Sequence, residues 1–231
     1  MSAGQPVSSG QGAPTGWRTA ALAALGAQVL ALFLVAGYVL SKDLPNPVSG
    51  WLDAGHHFLT GILTLWWALL LGRLTLGRGV AQGEYLDRVR QALTLTFPLL
   101  TSFRGVLWGI TALALAGGTS QAHPVALTAL MTIWGASIIA SYMGFFWLLR
   151  WSDLGPAEGS SAKWQLADWL NLSAALALGM TVINVVPITG FSVSLSQADQ
   201  LVYGLSGLLD VIATLLSLQA VRLTGPNDAS G

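Results

Sequence analysis

The sequence contains no cysteine, which excludes disulfides, thiolate metal sites, covalently attached haem and cysteine nucleophiles. Charge is scarce as well. Only 9% of the 231 residues are Asp, Glu, Lys or Arg, against roughly 25% in soluble domains, and a water-soluble fold of this length cannot cover its surface with so few. The ten basic and ten acidic residues cancel to a formal net charge of zero. With no basic tract and no zinc-finger spacing, nucleic acid is set aside as a partner. Also missing are a Ser-His-Asp arrangement, a phosphate-cradling glycine loop and a His-Glu-x-x-His motif, so no catalytic residue is assigned and the chain is not read as an enzyme. The Gly-Arg-Gly at Gly77 to Gly79 reads as a loop.

What is present is apolar. Hydrophobic residues make up 53% of the chain, with ten tryptophans, and the mean hydropathy is +0.63. A membrane-spanning helix needs about 20 mostly apolar residues, and runs of that size occur at Arg18–Leu40, Gly50–Gly72, Ala92–Ala116, Pro124–Leu149, Trp164–Val186 and Leu201–Val221. Pro98 is expected to bend the third. The breaks between them are turn-rich or polar: Ser41 to Ser49 with Pro45 and Pro47, Gly117 to Ser120, Arg150 to Lys163, and Pro187 to Gly190. Residues 1–16, rich in Gly, Ser, Gln and Pro, read as a disordered tail, and residues 224–231 as a short polar one. Between the second and third runs, Tyr85, Leu86, Val89 and Leu93 fall at helical spacing and Glu84 and Arg88 stand four apart. This pattern predicts a short amphipathic helix lying on the membrane surface.

The basic residues test the number of crossings. If each run crosses once, Arg18, Arg73, Arg78, Arg88, Arg90, Arg150, Lys163 and Arg222 share one side and only Lys42 lies on the other. Loops carrying the excess of Lys and Arg stay cytoplasmic. The expected fold is therefore all-α: an integral membrane bundle of six transmembrane helices with both termini cytoplasmic, in the plasma (bacterial inner) membrane. Small residues four apart, Gly105 with Gly109 and Ala136, Ala140 with Gly144, predict close helix packing within the bundle, or against a second copy or another membrane partner.

Ionisable groups inside a bilayer are costly and mark candidate sites. Asp53, His56 and His57 open the second run, with the carboxylate one helical turn before both imidazoles. They suit a divalent metal such as zinc, or a proton relay. The ordinary alternative is a helix cap beside two hydrated histidines. Arg104 and Asp210 each fall near mid-depth at 1.5 Å rise per residue, and a direct contact between them is expected. That pair fits either a pathway or an internal clamp. Asp168 and Asn171, one turn apart near the cytoplasmic end of the fifth run, read as a solvated acid and an interhelical hydrogen-bonding amide. His123 and Asp199, at the outer starts of the fourth and sixth runs, either approach the Asp53–His57 cluster or act as hydrated caps.

The Asp53-Ala54-Gly55-His56 segment resembles the second transmembrane helix of cation diffusion facilitator transporters, and Ala198-Asp199 is similar to the Ala-Asp that often precedes their sixth. The resemblance implies six spans, cytoplasmic termini, and a zinc site held by His and Asp of the second and fifth helices. The pattern is incomplete here. Thr60 stands where the second-helix motif has its next ligating Asp, no His-x-x-x-Asp occurs in the fifth run, and the cytoplasmic metal-binding domain has no counterpart. Three functions follow from these residues. The first is a small transporter or permease for an ion or small solute, lined by Asp53, His56, His57, Arg104 and Asp210. The second is a non-catalytic membrane partner or assembly subunit. The third is a redox subunit with b-type haem held by His123 and His56 or His57.

Overall fold

A computed structural model of the chain describes residues 15–42, 47–76, 83–114, 116–117, 124–185 and 196–225. Six helices dominate it: α1 (Thr15–Leu40), α2 (Pro47–Leu76), α3 (Gly83–Ala114), α4 (Pro124–Glu158), α5 (Ser160–Val185) and α6 (Gln197–Leu223). Each holds a stretch of 24 to 30 residues apolar enough to cross a membrane. Helices satisfy their own backbone hydrogen bonds, which is what a lipid interior demands. The surface agrees with a lipid surround: Leu34, Leu95, Leu99 and Leu113 are each more than 60% exposed, a scatter of bare leucines that suits acyl chains better than water.

The helices form a ring. Helix α1 lies between α2 and α6, α5 lies between α4 and α6, and α3 leans against α2 and α4. The described ends of α1 and α6 meet, since the Arg18 guanidinium donates to the Leu223 carbonyl at 3.3 Å. At the same end the Lys163 ammonium donates to the Thr224 carbonyl at 2.6 Å, Arg90 pairs with Asp153, and Arg73 approaches Asp87 at 3.7 Å. Of the basic residues that the sequence assigns to one side, Arg18, Arg73, Arg90 and Lys163 are thus joined to their neighbours at one end of the bundle.

Packing is uneven along the axis. The main apolar core, including Leu71, Leu86, Leu93, Leu148, Trp151 and Leu166, belongs to the basic end. A smaller cluster of Val35, Ala36, Val39 and Ala54 holds α1 to α2 towards the opposite end. Between Thr101 and Leu113 no side chain of α3 is fully buried, nor is any between Leu127 and Ser137 of α4.

Three sequence expectations need correction. The amphipathic stretch before the third span is no surface helix among the described residues. Residues 83–90 are the first turns of α3, and Leu86, Val89 and Leu93 are buried in the main core. The helical period is right, but its apolar face meets other helices instead of lipid headgroups. The polar segment from Arg150 is not a loop, because α4 continues to Glu158 and only Gly159 separates it from α5. Trp151 explains the extension, since its 1%-exposed ring anchors those turns in the core. The glycine steps also differ. A Cβ on Gly105, Gly109 or Gly144 meets nothing within 4 Å among the described residues, so close approach within the bundle does not occur there. It occurs at Gly61, where a Cβ would stand 2.7 Å from the Phe33 ring, and at Gly207, where it would collide with the Thr181 hydroxyl. Residues 1–14, the greater part of the expected tail, lie outside the described residues, as does His123.

Candidate functional site: a polar cavity inside the ring

Above the main core the ring surrounds a half-open cavity of about 390 Å³ lined by all six helices. Its floor is apolar: Leu25, Leu100 and Leu170 line it and belong to the main core. Its walls are polar at several heights. Gln28 comes from α1, His56, His57, Thr60 and Thr64 from α2, Arg104 from α3, Ser137 and Ser141 from α4, Ser173 and Thr181 from α5, and Ser206, Asp210, Thr214 and Ser217 from α6. Helical spacing explains the convergence. Thr60 and Thr64 are four apart on α2, as are Ser206, Asp210 and Thr214 on α6, so each set projects from one face.

Several of these groups lack partners among the described residues. The Arg104 guanidinium donates only a long 3.4 Å bond to the Ser141 hydroxyl, and its buried Nε is unpaired. His56 Nδ1, His57 Nδ1 and Gln28 Oε1 are likewise buried without a hydrogen-bond partner. Buried polar atoms are nearly always satisfied, so orphans gathered round one cavity mark where a polar guest or water makes contact. The hydroxyls add a bias. Thr60, Thr181 and Ser217 each donate to the carbonyl four residues back, and Ser137 to that of Trp134. Their protons are spent on the helix, so lone pairs face the cavity.

The charged residues do not meet as expected. Arg104 and Asp210 line the same cavity from α3 and α6, but no ion pair joins them, and Arg104 turns to Ser141 instead. Their charges still act on each other across the space, and the Arg104 charge also reaches both histidines. The ring geometry causes the separation, since α3 and α6 are not neighbours in it.

Beyond the histidines, a second network spans α1, α2 and α6. His57 Nε2 lies 3.5 Å from the Asp53 carboxylate, and the Tyr203 hydroxyl donates to Asp53 at 3.4 Å. One turn before Tyr203, Asp199 accepts from the Tyr38 hydroxyl at 2.9 Å and pairs with Lys42. Lys42 lies over the Tyr38 ring, 4.6 Å from its centroid. Asp199 also completes a capping box with Ser196, so its cap reading is realised, and through Lys42, which lies over the Tyr203 ring, it also approaches the Asp53–His57 cluster. Asp53 and His57 come together, while His56 faces the cavity beside them. Among the described residues no group of three His, Cys, Asp or Glu is arranged to hold a metal, so the expected three-donor set of Asp53, His56 and His57 is not assembled. Helix α5 supplies no ligand to it, because Asp168 and Asn171 are exposed on its outer face. Asn171 therefore makes no interhelical bond among the described residues.

Sequence reading overlooked Gln28, Tyr203 and the hydroxyl lining. Gln28 had a usable signal, a lone amide ten residues past Arg18 in an apolar run. The serines and threonines had none, since such residues are common in membrane helices and only their convergence is informative. No family model matches the chain, and neither a curated protein nor a solved structure is significantly similar to it. Fold and lining together define a class: a multi-pass α-helical membrane protein with a half-open cavity that carries polar groups from all six helices among apolar walls.

Proposed function

We propose that this protein is a small-solute carrier of the plasma membrane, with both termini cytoplasmic and the central cavity as its binding site. The observation that carries the reading is the cavity itself. Its volume of about 390 Å³ falls within the range of small-molecule sites, roughly 300–1,000 Å³, and its orphaned polar atoms face inward. Tight packing at the basic end and looser outer halves of α3 and α4 suit a bundle that pivots about one end. Orientation follows from the basic residues gathered at that end.

The absence of native cysteine makes the test clean. A single Ser206→Cys protein in sealed vesicles is treated with a membrane-impermeant thiol reagent from either side. A carrier gives labelling from both sides, slowed by a bound solute. A cavity closed to both sides sinks the proposal.

A second reading, a partner or assembly subunit, is favoured by one observation: Asn171 presents an amide on the outer face of α5. Amides in lipid associate helices. Crosslinking of Leu172→Cys protein, which keeps the Asn171 amide and places the thiol beside it on an exposed position, to itself or to another chain in native membranes supports that reading, and its failure to crosslink opposes it.

A further inference from the structure

We infer that the cavity takes a small zwitterionic solute, its anionic end on Arg104 and its cationic end towards Asp210. The inference rests on the reading of this cavity as a solute site and names the chemistry of the guest.

Charge balance comes first. Counting the histidines as neutral, the lining carries one positive side chain, Arg104, and one negative, Asp210. Their sum is zero, yet they do not neutralise each other by contact. In a poorly polarisable interior, separated opposite charges each require a counter-charge or strong hydrogen bonds. A free anion would answer Arg104 and leave Asp210 facing an uncompensated field, and a free cation would do the reverse. A molecule carrying both charges, set apart by a short chain, answers both at once.

Local donors and acceptors fit the same polarity. Around Arg104, the unpaired Nε and the loosely held Nη1 offer a fork matched to a carboxylate, sulfonate or phosphate. Asp210 stands on α6 between Ser206 and Thr214, each one turn away, with Ser217 further on and Thr181 across on α5. Thr181 and Ser217 have spent their protons on backbone carbonyls and present lone pairs, which suits an ammonium. Trp67, Trp134 and Phe145 also line the wall and can cover an apolar linker, as aromatic residues do in small-molecule sites.

The test uses the purified full-length protein in nanodiscs and a series of omega-amino acids of increasing chain length. Each is compared with its methyl ester, which lacks the anion, and its N-acetyl derivative, which lacks the cation. Binding is read by quenching of tryptophan fluorescence. At least one chain length is expected to bind about tenfold or more tightly than both blocked forms, as loss of a charge-assisted contact requires. Arg104→Gln should erase discrimination against the ester, and Asp210→Asn discrimination against the N-acetyl form. Because the wild-type comparison stands alone, a variant that fails to fold does not blunt the test. Equal binding of the zwitterions and either blocked form overturns this inference but leaves the cavity as a solute site. Binding of none of the compounds, in a protein whose Ser206→Cys variant is also sealed to thiol reagents, overturns both.

Discussion

Gly207 of α6 faces Thr181 of α5 with no room for a Cβ, and Thr181 is held by its bond to the Ala177 carbonyl. Gly207→Ala should therefore force α5 and α6 apart, at about 1–3 kcal/mol, the usual cost of overpacking. Thr181→Ala in the same chain should recover part of that loss. Thermal unfolding in one detergent gives the double-mutant cycle, and additive effects would show that the two do not touch. At the start of α6, Asp199→Asn weakens the Ser196 box and removes the charge that pairs with Lys42. The expected loss is about 1–2 kcal/mol, with little change in Lys42→Ala once Asp199 has been replaced.

The helical elements carry the difference between a surface segment and a packed one. In the first turns of α3, Tyr85 is 57% exposed while Leu86 is fully buried. A cysteine at position 85 should react rapidly with a polar maleimide and one at position 86 only after unfolding. Equal reactivity would restore the surface helix predicted from periodicity. Residues 101–113 of α3 are all at least partly exposed, whereas the preceding turns hold Phe97 and Leu100 in the core. Amide exchange should be faster in residues 101–113 than in the turns before them, because sparse packing lowers the cost of local opening. The element boundaries also show why reading stops where it does. Arg150 and Asp153 look like loop residues in sequence, yet Trp151 between them carries the helix onward by inserting in the core. A single buried ring outweighs its polar neighbours, and only its packing reveals it.

For the whole molecule, sidedness is the strongest prediction. Cysteines at Gly16 and Gly225 should be labelled from one face of the membrane and a cysteine at Ser41 from the other, because Arg18 meets Leu223 at one end and Ser41 closes α1 at the other. Labelling of positions 16 and 225 from opposite faces would require an odd number of crossings. Membrane residence, helix number and the separation of charge were legible in the sequence, because they follow from the local cost of placing backbone and charge in lipid. The polar residues at depth were legible one at a time: Arg104, Asp210, His56 and His57 each stand out against an apolar run. Their arrangement was not. That Arg104 and Asp210 share a cavity without pairing, that Asp168 and Asn171 point away from it, and that Gln28, Tyr203 and a set of hydroxyls complete its lining depends on how each helix is rotated in the ring. Rotation is set by contacts between residues far apart in the chain, Gly207 against Thr181 and Leu86 within the main core, and no local pattern encodes it. The scarcity of charge determined the solvent of this protein, and tertiary packing decided which of its few charges face one another.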